Sequence, residues 1–82
     1  MTANEKAIQK TVWEIVKDHA YYKGDCDTLV FEDMGMDSLD HVEYVMMLEE
    51  EFAIEIGDSE HEKLQTVKET VAYLVGKGIV GA

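Results

Sequence analysis

Ser38 stands in the run Asp37-Ser38-Leu39-Asp40-His41. A hydroxyl, two carboxylates and an imidazole so close together raise two kinds of chemistry, nucleophilic catalysis and covalent modification. On a helix the residue three positions on is a surface neighbour, so His41 comes near Ser38. A hydrolase would also need an oxyanion hole. The chain has no G-x-S-x-G motif and no glycine-rich loop to supply backbone donors. Helical spacing also turns His41 toward the apolar side. Modification suits the serine better. Asp37 is spaced as an N-cap, and Ser38 follows in the first turn, where its hydroxyl faces outward. A phosphoester there would meet the positive end of the helix dipole. The surrounding acids oppose that gain, so the acidic field serves something else.

The remaining polar constellations are weaker. Asp25-Cys26-Asp27 resembles the start of a calcium loop, but the later EF-hand ligands and the glycine are missing. Cys26 is the only cysteine, with no CxxC partner for redox chemistry or zinc. His19, His41 and His61 are scattered. No metal site is expected.

Several elements must position Ser38. Thr2 and Glu5 have capping-box spacing, with Asn4 as an alternative cap. Ile8, Val12, Ile15, Val16 and His19 follow at helical intervals, with Trp13 to one side as a partly buried packing residue. This helix fades before Gly24. From Gly24 to Asp37 no period is sustained, and so long an irregular stretch is often functional. Leu29, Val30, Phe31 and Met34 are the residues available to pin it. A second helix runs from about Ser38 to Phe52. A short one is expected from about Ser59 to Leu64, capped by Asp58 or Ser59. The last starts at Thr66, again with capping-box spacing to Glu69, and carries Val67, Val71, Leu74 and Val75. Gly76 and Gly78 end it, and Gly81 is a further break. No strand is needed. The expected fold is all-α, a small four-helix bundle of three longer helices plus one short helix.

The second helix has two apolar sides. At about 100° per residue, His41, Tyr44, Val45, Leu48 and Phe52 share one arc. Leu39, Val42 and Met46 fall opposite, flanked by Glu43, Glu49 and Glu50. So small a bundle cannot easily bury both sides of one helix. An apolar centre with a charged rim is how protein interfaces are built.

Composition sets the class of partner. Hydrophobic residues make up 46% of the 82, which is a folding sequence rather than a disordered acidic tail. The formal net charge of -11 argues against nucleic acid as a partner. All seven basic residues are lysines, and none lies between Lys23 and Lys63, an interval dense in acids. Such a field attracts proteins with basic patches. No apolar run is long enough to span a membrane. The polar first residues are unlike a signal peptide, and the lone cysteine fits a reducing compartment, so a cytoplasmic location is expected.

The segment DMGMDSLDHVEYVMMLEEEFAIEI closely resembles the central segment of acyl carrier proteins, whose pattern is D-L-G-x-D-S-L-D-x-V-E-x-V-x-x-L-E-E-E-F-x-x-E-I. The later T-V-x-x-x-V-x-Y-L also fits, while the first 25 residues match in type only. The resemblance implies that Ser38 carries a 4'-phosphopantetheine derived from coenzyme A. The thiol of that arm holds acyl groups as thioesters. It implies a docking face made of the acids Asp37, Asp40, Glu43, Glu49 and Glu50 and the apolar Leu39, Val42 and Met46. It also implies an acyl pocket lined by Val30, Val45, Leu48, Ile56 and Val71. Four departures stand out: Met34 in place of leucine, Gly57 in place of a frequent proline, His61 in place of a small residue, and Tyr44 in place of an aliphatic one. His61 is expected to point into solvent, and Tyr44 to narrow the pocket.

Residues 1–82 are thus expected to form a single acyl-carrier domain, a monomer and not an enzyme. Its expected partners are a phosphopantetheinyl transferase and acyl-processing enzymes with basic docking patches, in fatty acid or related lipid or polyketide biosynthesis. The alternative is an unmodified acidic adaptor that binds basic proteins through the second helix. A hydrolase acting through Ser38 is the remote third reading.

Overall fold

The computed structural model describes residues 2–79; Gly81, read above as a break, lies outside them. Three α-helices form the frame: α1 (Ala3–His19), α2 (Ser38–Phe52) and α3 (Val67–Gly76). Two 3-10 turns lie in the connections, at Phe31–Met34 and Asp58–Lys63. The second is the short helix expected from the sequence. No strand occurs among the described residues.

Each α-helix starts where a side chain can satisfy an orphan backbone donor. Thr2 and Glu5 form a reciprocal capping box on α1. Asp37 and Asp40 form another on α2. Thr66 accepts from the Glu69 amide at 3.0 Å at the start of α3. The short helix differs from expectation. It begins at Asp58 after Gly57, and no side chain caps it. A six-residue 3-10 segment leaves fewer orphan donors than an α-helix, so neither Asp58 nor Ser59 is needed there.

α1 packs against both α2 and α3. It contributes Ile8, Val12, Ile15 and Val16 to the core. α2 adds Tyr44, Val45 and Leu48; α3 adds Val67, Thr70, Val71 and Leu74. His19 and Phe52, at the margins of their stripes, are only half-buried, as is Trp13. Val75 leaves the expected α3 stripe and is 37% exposed, while its neighbour Leu74 is wholly buried.

The irregular stretch is held by backbone bonds to distant segments. The Phe31 amide donates to the Gln65 carbonyl at 2.8 Å, and the Lys68 amide to the Asp27 carbonyl at 2.9 Å. Tyr21 donates to Met34 at 3.1 Å. Phe31, Met34 and Met36 are buried by this arrangement and Leu29 partly so. Val30 is not: it lies 39% exposed, turned outward where the 3-10 turn begins. Gly35 then takes a left-handed φ of 91°, which brings the chain round into α2.

Candidate functional site

Ser38 is the first residue of α2 and is exposed. The cap before it is tight. The Asp40 amide donates to Asp37 Oδ1 at 2.8 Å, and the Asp37 amide donates to Asp40 Oδ2 at 3.2 Å. Two orphan donors are satisfied, and the first turn is fixed in place with the serine on its outer side. Behind Ser38 opens a pocket of about 660 Å³. Phe31, Glu32, Gly35 and Met36 of the irregular stretch line it on one side. Asp37, Ser38, His41 and Gln65 line the other.

His41 is not poised as a base for the serine. Its Nε2 lies 2.7 Å from the Leu64 carbonyl. A carbonyl only accepts, so Nε2 carries the proton and is spent on that bond. No hydrogen bond joins Ser38 and His41 among the described residues. The ring sits half-buried between Phe31 and Tyr44, with centroids 6.2 and 6.1 Å away. This is a structural histidine that ties α2 to the segment before α3. His61, expected in solvent, packs against it at 6.2 Å and is only 23% exposed. Its ring meets the His41 ring on one side, and its Nε2 lies 3.8 Å from Asp58 Oδ1.

The opposite face of α2 is open, as its two apolar stripes require. Leu39 is 64% exposed, Val42 42% and Met46 57%. Met47 extends the patch. Beside it runs a groove of about 530 Å³, with Met46, Met47 and Ile54 as its apolar floor. Glu43, Glu49, Glu50, Glu55 and His19 form the rim. Met47 and Ile54 escaped the sequence reading, Met47 because it falls between the two arcs and Ile54 because it lies past the helix end. The five expected acids are not equivalent. Asp37 and Asp40 are engaged in the cap. Glu49 is half-buried, and its Oε2 accepts from the Ile56 amide at 2.9 Å, holding the turn after α2. Glu43 faces His19, with Oε2 3.7 Å from Nδ1, and Glu50 is exposed. His19, Asp40 and Glu43 bring ligand-type atoms within 4.8 Å of one another, the single such group among the described residues.

The residues expected to line an acyl pocket divide as well. Val45, Leu48, Ile56 and Val71 are buried in the core, whereas the exposed Val30 is not among them. None of the five lines the pocket behind Ser38 or the groove along α2. Between α2 and α3 lies Tyr44, wholly buried. Its hydroxyl donates to Thr70 Oγ1 at 2.8 Å, and Thr70 donates onward to the Thr66 carbonyl at 2.9 Å. Burial, against a smaller opposing effect of the Thr70 bond, holds the Tyr44 phenol neutral far above its usual range.

Residues 23–74 match a family model described as a phosphopantetheine attachment site. An acyl carrier protein of Akkermansia muciniphila is 43% identical over 74 residues, covering 87% of this chain and 92% of that protein. One from Buchnera aphidicola is 41% identical over 77 residues, 92% of each chain. One from Campylobacter hominis is 58% identical over 48 residues, 58% of this chain and 61% of that protein.

Proposed function

The chain belongs to the acyl carrier protein family, and on that premise we propose that Ser38 is the residue that bears its 4'-phosphopantetheine. Membership makes it a carrier rather than a catalyst, with acyl groups as cargo and acyl-processing enzymes as partners. The observation that carries the assignment to Ser38 is its position. It is an exposed hydroxyl in a first turn fixed by a reciprocal cap, inside the matched segment and beside an open, acid-rimmed face. In the modification the serine Oγ attacks the pyrophosphate of coenzyme A. One phosphoester bond forms, one phosphoanhydride bond breaks, and the adenosine nucleotide half leaves with the serine proton passing to a base of the transferase. The chain's own contribution is to hold the hydroxyl outward and to present the docking face to the transferase.

Leu39, Val42 and Met46 would form the apolar centre of that face, with Glu43 and Glu50 as the acids that accept no backbone bond. Partners should therefore carry lysines and arginines around a small apolar patch. The same reading takes residues 1–82 as one carrier domain acting as a cytoplasmic monomer, in fatty acid or related lipid or polyketide synthesis. The test is intact mass after incubation with coenzyme A and a broad-specificity phosphopantetheinyl transferase. The wild type should gain one phosphopantetheine and Ser38→Ala none. A folded wild type that gains nothing would overturn the assignment.

A further inference from the structure

A thioester-linked alkyl chain leaves water for any apolar space that admits it. The interior between α2 and α3 is already taken. Tyr44 lies wholly buried there, and its hydroxyl is bonded to Thr70, which is bonded in turn to Thr66. No buried side-chain polar atom among the described residues lacks a partner. An alkyl chain threaded there would part Tyr44 from Thr70 and leave the Tyr44 hydroxyl in apolar surroundings, where an unmet hydrogen bond is costly. The way in from Ser38 is closed too. His41 is bonded across to Leu64, and the Phe31 ring packs edge-on against Tyr44 at 4.8 Å. Outside the bundle the pocket behind Ser38 offers different chemistry. Phe31 and Met36 give it an apolar floor, while Glu32, Asp37, His41 and Gln65 surround it with polar groups. The two carboxylates accept hydrogen bonds and repel anions.

We propose that the cargo is a short acyl group bearing a hydrogen-bond donor, an amino or hydroxy acyl group, held in the pocket behind Ser38. Tyr44 with Thr70 excludes longer alkyl chains from the interior. This rests on the attachment at Ser38 proposed above. The cargo class departs from plain alkyl chains because a hydrogen-bonded pair closes the interior and the pocket beside Ser38 carries the carboxylates of Glu32 and Asp37.

The test loads the protein with butyryl, β-hydroxybutyryl and octanoyl phosphopantetheine from the matching coenzyme A thioesters. Intact mass confirms each loading before amide chemical shifts are compared by NMR. Replacing butyryl by β-hydroxybutyryl should move the amides of Glu32, His41 and Gln65. Replacing butyryl by octanoyl should leave Val45, Leu48 and Val71 unmoved. Tyr44→Leu should let octanoyl shift Val71. Octanoyl-dependent shifts at Val45, Leu48 and Val71 in the wild type would overturn the exclusion. Identical spectra for butyryl and β-hydroxybutyryl would overturn the pocket. A folded Tyr44→Leu that still ignores octanoyl would remove Tyr44 as the excluding residue. The wild-type comparisons decide the proposal even if that variant does not fold. Failure to load at all is read in the mass and overturns the Ser38 assignment itself, and this proposal with it.

Discussion

The Tyr44–Thr70 pair gives a quantitative prediction through a double-mutant cycle. Thr70→Val removes the acceptor that Tyr44 uses, at a site with no exposure. The Tyr44 hydroxyl is then stranded, at a cost of about 1–3 kcal/mol. The Thr66 carbonyl keeps its helical bond from the Thr70 amide at 3.0 Å, so no second group is orphaned. Tyr44→Phe is milder. Thr70 retains its bond to Thr66, and only one neutral hydrogen bond is lost, about 0.5–1.5 kcal/mol. In the double variant no hydroxyl is stranded. Its loss should fall short of the sum of the single losses by about 1 kcal/mol. Urea unfolding of the unmodified protein at neutral pH measures all four corners. Each kcal/mol should lower Tm by about 4–8 °C for a domain of this size. Additive losses would refute the reasoning, because they would mean that the two hydroxyls do not depend on each other. A neutral Thr70→Val would do the same.

Four further outcomes follow from the geometry. Glu43→Lys or Glu50→Lys should weaken binding to a basic partner about three- to tenfold at low salt with unfolding unchanged. Glu49→Ala should instead lower stability by about 1–2 kcal/mol, since it removes the acceptor for the Ile56 amide; titrations and melts on the same three variants check both. Ala53→Gly should raise stability by about 0.5–1 kcal/mol, because Ala53 closes α2 with φ 53° and ψ 48°, where a Cβ is strained. An Ala53→Gly variant no more stable than wild type in urea would count against that. Finally, partial burial and the Glu60 carboxylate push the Tyr73 phenol up to about 12, while the Tyr73 bond, with help from Lys77 and Lys63, lowers Glu60. The Tyr73 contribution is complete below the unfolded phenol pKa of about 10 and is lost as pH rises toward 12. The Glu60 contribution is present above the ordinary carboxylate range and is lost as pH falls below it. Tyr73→Phe should flatten the urea-midpoint profile at both ends; parallel profiles would refute the coupling.

Features set by near neighbours in the chain were legible in the sequence. The caps at Thr2, Asp37 and Thr66 depend on groups three residues apart, and the structure has each where its spacing put it. The core stripe of α1 and the two sides of α2 follow from helical period alone. Features set by distant partners were not legible. Val30 looks like an anchor in Leu29-Val30-Phe31, but the bond from Phe31 to Gln65 decides which residue turns inward. Met36 is buried too, its amide donating to the Phe31 carbonyl at 3.1 Å. Tyr44 could be assigned to the core side, yet its partner lies 26 residues away on another helix. The pocket behind Ser38 draws on the irregular stretch, α2 and Gln65 together, so no local pattern announces it.

The acids show why composition alone misjudges a docking surface. Read as charge, Asp37, Asp40, Glu43, Glu49 and Glu50 are five equal points of attraction. In the fold three of them are already accepting backbone hydrogen bonds: Asp37 and Asp40 at the start of α2, Glu49 at its end. A carboxylate that caps a backbone still projects its negative field, because accepting a hydrogen bond does not neutralise it. It therefore attracts a basic partner without being free to move toward it. The three bound acids hold the ends of α2 rigid and supply long-range steering. On the docking face proposed above, close pairing would fall to Glu43 and Glu50, exposed carboxylates that accept no backbone bond, Glu43 resting against His19. Neutralising a bound acid perturbs folding and encounter together, whereas neutralising a free one perturbs contact alone. If α2 docks partners as proposed, the strength of the field and the specificity of contact would be carried by different residues, and substitutions at Glu43 and Glu50 would retune binding without weakening the capped turn that holds Ser38.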